Sequence, residues 1–233
     1  MLILSTAFPH AWQSRAERFF DTFLGIAVSF LVWPNFARKT LRTSIGDLVA
    51  AQHQHFRRLR QAYFSDSPDT PSLLSGRLRA REILDACAEK CTDAAIEPGL
   101  ISGQRQELMN LVDVFTKTHR ILTALASVVG KSTGVFKGNI RPEFEGLMDM
   151  VDAQFSQLEI YARTGSEPEE NPDFKTCFNR FMVCLGSMRT QGEFDRFPLD
   201  SRNNASSFNL QINRIGTGLE QARVGLKAIR ETR

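Results

Sequence analysis

The chain has 233 residues, 42% of them apolar and 24% charged; this balance supports one large domain or two small ones and excludes global disorder. A mean hydropathy of -0.23 leaves room for at most one complete membrane span. The net charge of +3 is unevenly placed: residues 1–65 hold eight Lys or Arg against three Asp or Glu, so the basic excess lies at that end.

In chain order, "MLILSTAFPHAW" lacks a basic leader region and a clean cleavage site, which argues against a signal peptide. The most apolar stretch follows. Thr22 to Trp33 is twelve residues without a charge, and Phe19 to Phe36 is eighteen with Asp21 as its only charge. By length alone residues 16–34 read either as a transmembrane helix or as a buried core helix of a soluble protein. Trp33 suits an interfacial anchor and Pro34 a break at the exit. Arg38, Lys39 and Arg42 supply the cations found on the cytoplasmic side of a span. Arg18, Asp21 or Thr22, and Gly25 share one face of that helix. Arg18 and Asp21 are positioned to pair near the interface, and Gly25 admits a neighbouring helix closely.

Leu41, Ile45, Leu48, Phe56, Leu59 and Tyr63 keep helical spacing as far as "SDSPDTP". His53 and His55, two apart, fall on different faces of that helix and read as solvated, not as metal ligands. Thr70-Pro71 opens a second helix, with Thr70 as its capping hydroxyl, ending at Pro98-Gly99. Cys87 and Cys91 share a face of it. Without a zinc-spaced histidine pair, they and Cys177 and Cys184 read as reduced cysteines filling helix packing. A third helix carries Leu108, Leu111, Val112, Phe115, Leu122, Leu125 and Val129. His119 sits near its apolar stripe with no nucleophile at a recognisable spacing.

"GKSTG" resembles the end of a phosphate loop, yet the required first glycine falls at Leu125 and a helix precedes where a strand should. "GKSTGVFKGN" reads as a loop. Pro142 opens a fourth helix with Phe144, Leu147, Met148, Val151, Phe155 and Leu158 on one face, and "TGSEPEENP" is a loop. "FKTCFNRFMVCLGSM" is a shorter helix. In the last segment Phe208, Ile212, Ile215, Leu219, Ala222, Leu226 and Ile229 form a heptad seam suited to pairing with another helix. The fold class expected is all-α: one N-terminal transmembrane helix, then a cytosolic bundle of five or six helices over residues 35–233. No enzyme signature, cofactor motif or metal set is present. The basic end lacks the interleaved exposed aromatics or known motif that nucleic-acid binding calls for.

The element Arg18-x-x-Asp21-Thr22-x-x-Gly25, the apolar run ending in Trp33-Pro34, and Arg38-Lys39-x-Leu41 resemble the final membrane helix of the fusaric-acid-resistance and aromatic-acid-exporter family. "RAREILDACAEKCTDAAIEPG" and "TKTHRILTALAS" resemble the helical cytosolic region that follows it, so the likeness runs over roughly residues 15–130. It implies a bacterial inner-membrane protein related to exporters of aromatic carboxylic acids and similar organic anions. Its C-terminal domain would lie in the cytoplasm and its partners would be membrane lipids. Residues 1–15 would be the end of a preceding span or an external loop. Arg18 would attract the substrate carboxylate and Asp21 would fix its position, with Thr22 and Gly25 at the inter-helix contact. Such families use about six spans, and only the last is matched. The chain is thus expected to be a fragment, a split gene product or a subunit whose remaining spans come from partner chains or a homo-oligomer. The alternative expectation is a soluble or peripheral helical interaction protein.

Overall fold

The structure, a computed structural model, describes residues 22, 40–65, 69–96, 102–129, 135–138, 140–166 and 173–231. The chain divides into two compact units, Met1–Thr40 and Leu41–Arg233, and the helical bundle is the second. Among the described residues it comprises six long helices: α1 covering residues 40–64, α2 Thr70–Ile96, α3 Ser102–Val129, α4 Arg141–Thr164, α5 Phe174–Thr190 and α6 Leu199–Glu231. No strand occurs among the described residues, as the helical periodicities require. None of the described helices is long and apolar enough to cross a membrane. The expected span at 16–34 lies outside the described residues except for Thr22, which is helical and exposed.

α1 is the centre of the bundle. Amphipathic surface helices bury one stripe, but α1 buries Ile45, Leu48, Val49, Ala51, Phe56, Leu59, Ala62 and Tyr63 together with Ser44, Gln52, His53 and His55. Its partners surround it. Lys90 of α2 donates to Ser44 Oγ at 2.9 Å, and Gln52 Nε2 donates to the Phe115 carbonyl of α3 at 2.9 Å. His53 and Arg57 both reach Asp152 of α4, and the Tyr63 ring lies 4.7 Å from Phe208 of α6. The His53/His55 segment is therefore buried, not solvated. A spacing of two puts the rings on different faces, and here both faces are covered.

Capping chemistry sets the helix ends. Asp69, not Thr70, caps α2: its Oδ1 accepts from the Ser72 N–H at 3.2 Å. Asp173 does the same for α5 through the Thr176 N–H at 3.0 Å. Pro142 occupies the first turn of α4, where its missing N–H costs nothing. α4 ends at Gly165, whose φ of 79° lets its N–H reach the Tyr161 carbonyl at 2.9 Å.

Phe144 holds the far end together. It is fully buried, with the rings of Phe136, Tyr63, Phe181, Phe208 and Phe64 at 4.6, 5.3, 5.6, 5.6 and 5.9 Å. Burying one such side chain contributes about 1.5–3 kcal/mol. Phe136 comes from the segment read as a loop, which contains a short 3₁₀ turn, Val135–Lys137, with Val135 and Phe136 inside the core. Residues 130–134 of that segment lie outside the described residues. The heptad seam of α6 is buried from Phe208 through Leu226, with α3 as its principal partner and α4 beside it. Its apolar edge is thus satisfied within the chain, and the seam is not available to a second helix from elsewhere.

Candidate functional site

Of the sequence-based site residues, Arg18, Asp21, Gly25, Trp33, Pro34, Arg38 and Lys39 lie outside the described residues. Thr22 and Arg42 are described, and both are exposed. The structure instead brings together a set of side chains that no local motif announces. A cleft of about 710 Å³ opens between α1, α2 and α4, within the size range of small-molecule sites. Its cations are Arg57, Arg79, Lys90 and Arg163, its carboxylates Asp47 and Glu159, and Ala50, Ala51, Ile83 and Ala86 give it an apolar strip.

Each wall follows from helix geometry. On α2, Arg79, Ile83, Ala86, Cys87 and Lys90 recur at spacings of three and four, so they form one face with a cation at each end. On α1, Asp47, Ala50, Gln54 and Arg57 do likewise. α4 approaches closely at Gly46, where a Cβ would stand 2.6 Å from Cγ of Arg163; glycine there lets the arginine stem lie across α1.

The charges on the α1/α4 side are internally paired. Asp152 accepts from Arg57 Nε at 2.6 Å and Nη2 at 2.9 Å, and from His53 Nε2 at 2.8 Å. An ionised carboxylate can only accept, so neutral His53 carries its proton on Nε2. The Arg57 guanidinium, with His53 behind it, holds the Asp152 carboxyl down to about 2. Burial lowers the His53 pKa against the raising effect of Asp152, and the ring stacks on Phe155 at 5.3 Å. Arg163 bridges Asp47 at 2.9 Å and Glu159 at 3.0 Å. The α2 side differs. Lys90 meets only the Ser44 hydroxyl, and neither Lys90 nor Arg79 has a carboxylate within ion-pair distance among the described residues.

On the opposite side of α1 lies a second polar group. His55 is fully buried with neither ring nitrogen hydrogen-bonded among the described residues, and the same holds for His119 Nδ1 and Gln52 Oε1. Gly76 closes over it, since a Cβ there would lie 3.1 Å from His55 Nδ1. Burial first, then His119, Arg58 and Arg77, push the His55 pKa down to about 4. No nucleophile or carboxylate among the described residues is hydrogen-bonded to this imidazole. Among the described residues no group of three or more His, Cys, Asp or Glu side chains could hold a metal ion.

Comparisons with family models, curated proteins and solved structures gave no match.

Proposed function

We propose that the bundle is a non-catalytic domain that binds a small organic anion in the α1/α2/α4 cleft. The chain would be a component of a membrane assembly related to exporters of aromatic carboxylic acids. On this reading residues 16–34 span a bacterial inner membrane, residues 35–233 face the cytoplasm, and other spans come from partner chains. The supporting observation is the pair Arg79 and Lys90: two cations line the cleft with no carboxylate partner among the described residues, beside an apolar strip that fits an aromatic or aliphatic body. A carboxylate ligand would supply the missing charge, and partial exclusion of water strengthens such a contact. The resemblance of residues 18–42 to an anion exporter's last helix points to the same ligand class.

Benzoate titrated calorimetrically into the purified full chain in detergent is expected to bind with a Kd of about 1 mM or tighter. Replacing Arg79 and Lys90 together by Gln should weaken binding roughly tenfold, equivalent to ~1.4 kcal/mol, and added salt should weaken it further. No binding at about 10 mM benzoate, or unchanged binding in the double variant, overturns the anion site. Recovery of the chain in the supernatant after alkaline carbonate washing overturns the membrane assignment.

A further inference from the structure

Cys87 and Cys91 stand one helical turn apart on α2 with their Sγ atoms 4.0 Å from each other, and both are reduced. The two are not equivalent. Cys87 lines the basic cleft, three residues from Lys90, whereas Cys91 is not part of the cleft wall. We propose that they form a thiol–disulfide switch at the cleft floor, in which Cys87 takes up a small anionic disulfide and Cys91 resolves it into an intrahelical cystine.

The Cα spacing brings the two cysteines within reach of each other. Cα atoms four residues apart in an α-helix are about 6 Å apart, inside the window of about 4.4–6.8 Å that a disulfide spans. The Cβ atoms at this spacing are about 5–6 Å apart, wider than the roughly 3.5–4.5 Å of a disulfide, so closing the bond also takes a local shift of the α2 backbone. The order of attack follows from position. Cys87 is buried at the cleft wall with 3% of its surface exposed and Cys91 with 1%, so local opening of the wall brings a disulfide to Cys87 first, and the cations Arg57, Arg79, Lys90 and Arg163 favour a reagent bearing carboxylates. Hydrogen bonding from Cys91 holds the Cys87 thiol below its ordinary value, with the Lys90 ammonium assisting. The Cys91 thiol is pushed up by the same hydrogen bond and by burial.

In the first step Cys87 loses its proton and its thiolate attacks one sulfur of RSSR; that S–S bond breaks and RS⁻ leaves. In the second, Cys91 loses its proton and attacks the Cys87 sulfur, breaking the mixed bond and releasing the second RS⁻. Two protein thiols are oxidised, one RSSR is reduced to two RSH, and the two protons end on the released thiolates. None of this depends on the organic anion proposed above.

The test is to incubate the full chain with oxidised glutathione and, in parallel, with neutral hydroxyethyl disulfide. Trypsin cuts after Arg81, Lys90 and Arg105, so a Cys87–Cys91 bond appears as peptide 82–90 joined to peptide 91–105. That joined pair is expected, forming faster with glutathione than with the neutral reagent at low salt. Cys91→Ser should stop at a glutathione adduct on Cys87, and Cys87→Ser should leave Cys91 unmodified. Lys90→Gln, at an exposed position, should slow attack at Cys87 roughly threefold, about half a pKa unit of thiolate. Cys177, half-buried on α5, has its thiol pushed up by burial and serves as the internal reference. Adducts confined to Cys177 or Cys184, or reaction of Cys87 only in urea, overturn the switch.

Discussion

His53 of α1 donates through Nε2 to Asp152 of α4 at 2.8 Å, across ninety-nine positions of sequence. Arg57, one turn on, takes the same carboxylate with two further hydrogen bonds. Asp152 thus ties the central helix to α4, and its side chain is only 22% exposed. Asp152→Ala would leave a buried imidazole N–H without an acceptor and a guanidinium without its counter-charge. Arg57 is more than half exposed and can turn to water, so the loss falls mainly on His53. About 1–3 kcal/mol of stability should disappear, read as a lower urea midpoint with an unchanged slope. A midpoint equal to that of the parent would mean that the triad contributes nothing.

The buried imidazole of His55 makes stability depend on pH. Its pKa is about 4 in the fold and near the ordinary 6.5 when the chain is open, so between these values the unfolded state binds more protons. The contribution is therefore complete above about pH 6.5 and lost as pH falls towards 4. Full loss corresponds to ~3 kcal/mol at ~1.4 kcal/mol per pKa unit. His53 and His119 are shifted in the same direction, whereas the Asp152 carboxyl titrates only near 2. Urea midpoints at pH 7.5, 6, 5 and 4.5 should fall steadily in the parent and much less in His55→Leu. Equal slopes in the two proteins would remove His55 as the source.

Helical class and most helix faces were legible in the sequence because the apolar spacings of α3 and α4 repeat over several turns. Leu108, Leu111 and Phe115, and Phe144, Leu147 and Val151, are all buried as their spacing requires. Periodicity specifies a face but not what covers it. The α6 seam was readable from Phe208 to Ile229, yet its partner is α3 of the same chain. α1 was harder. α1 keeps one exposed stripe, Asp47, Gln54, Arg57 and Gln61, and is covered around the rest, so the polar His53 and His55 are buried where their polarity suggests solvent. The cleft was illegible because its residues run from Ser44 to Glu159 and Arg163 on three helices, and only the packing of those helices joins them. The one local trace was the α2 face from Arg79 through Ile83 and Cys87 to Lys90, apolar in the middle and cationic at both ends.

The C-terminal ends of α4 and α6 meet at Gly165 and Arg230. Gly165 has a φ of 79°, and a Cβ on it would overlap the Arg230 guanidinium, which itself lies 4.7 Å from the centre of the Tyr161 ring. Gly165→Ala therefore does two things. It places an L side chain in the left-handed region, costing about 1–2 kcal/mol, and it displaces Arg230 from Tyr161, a contact of about 0.5–1 kcal/mol. In an Arg230→Ala background only the first cost remains, because there is no guanidinium left to displace. A double-mutant cycle by urea unfolding should accordingly return a coupling of about 0.5–1 kcal/mol. Strict additivity would show that Arg230 finds an equivalent position, and that Gly165 is required for its backbone angle alone.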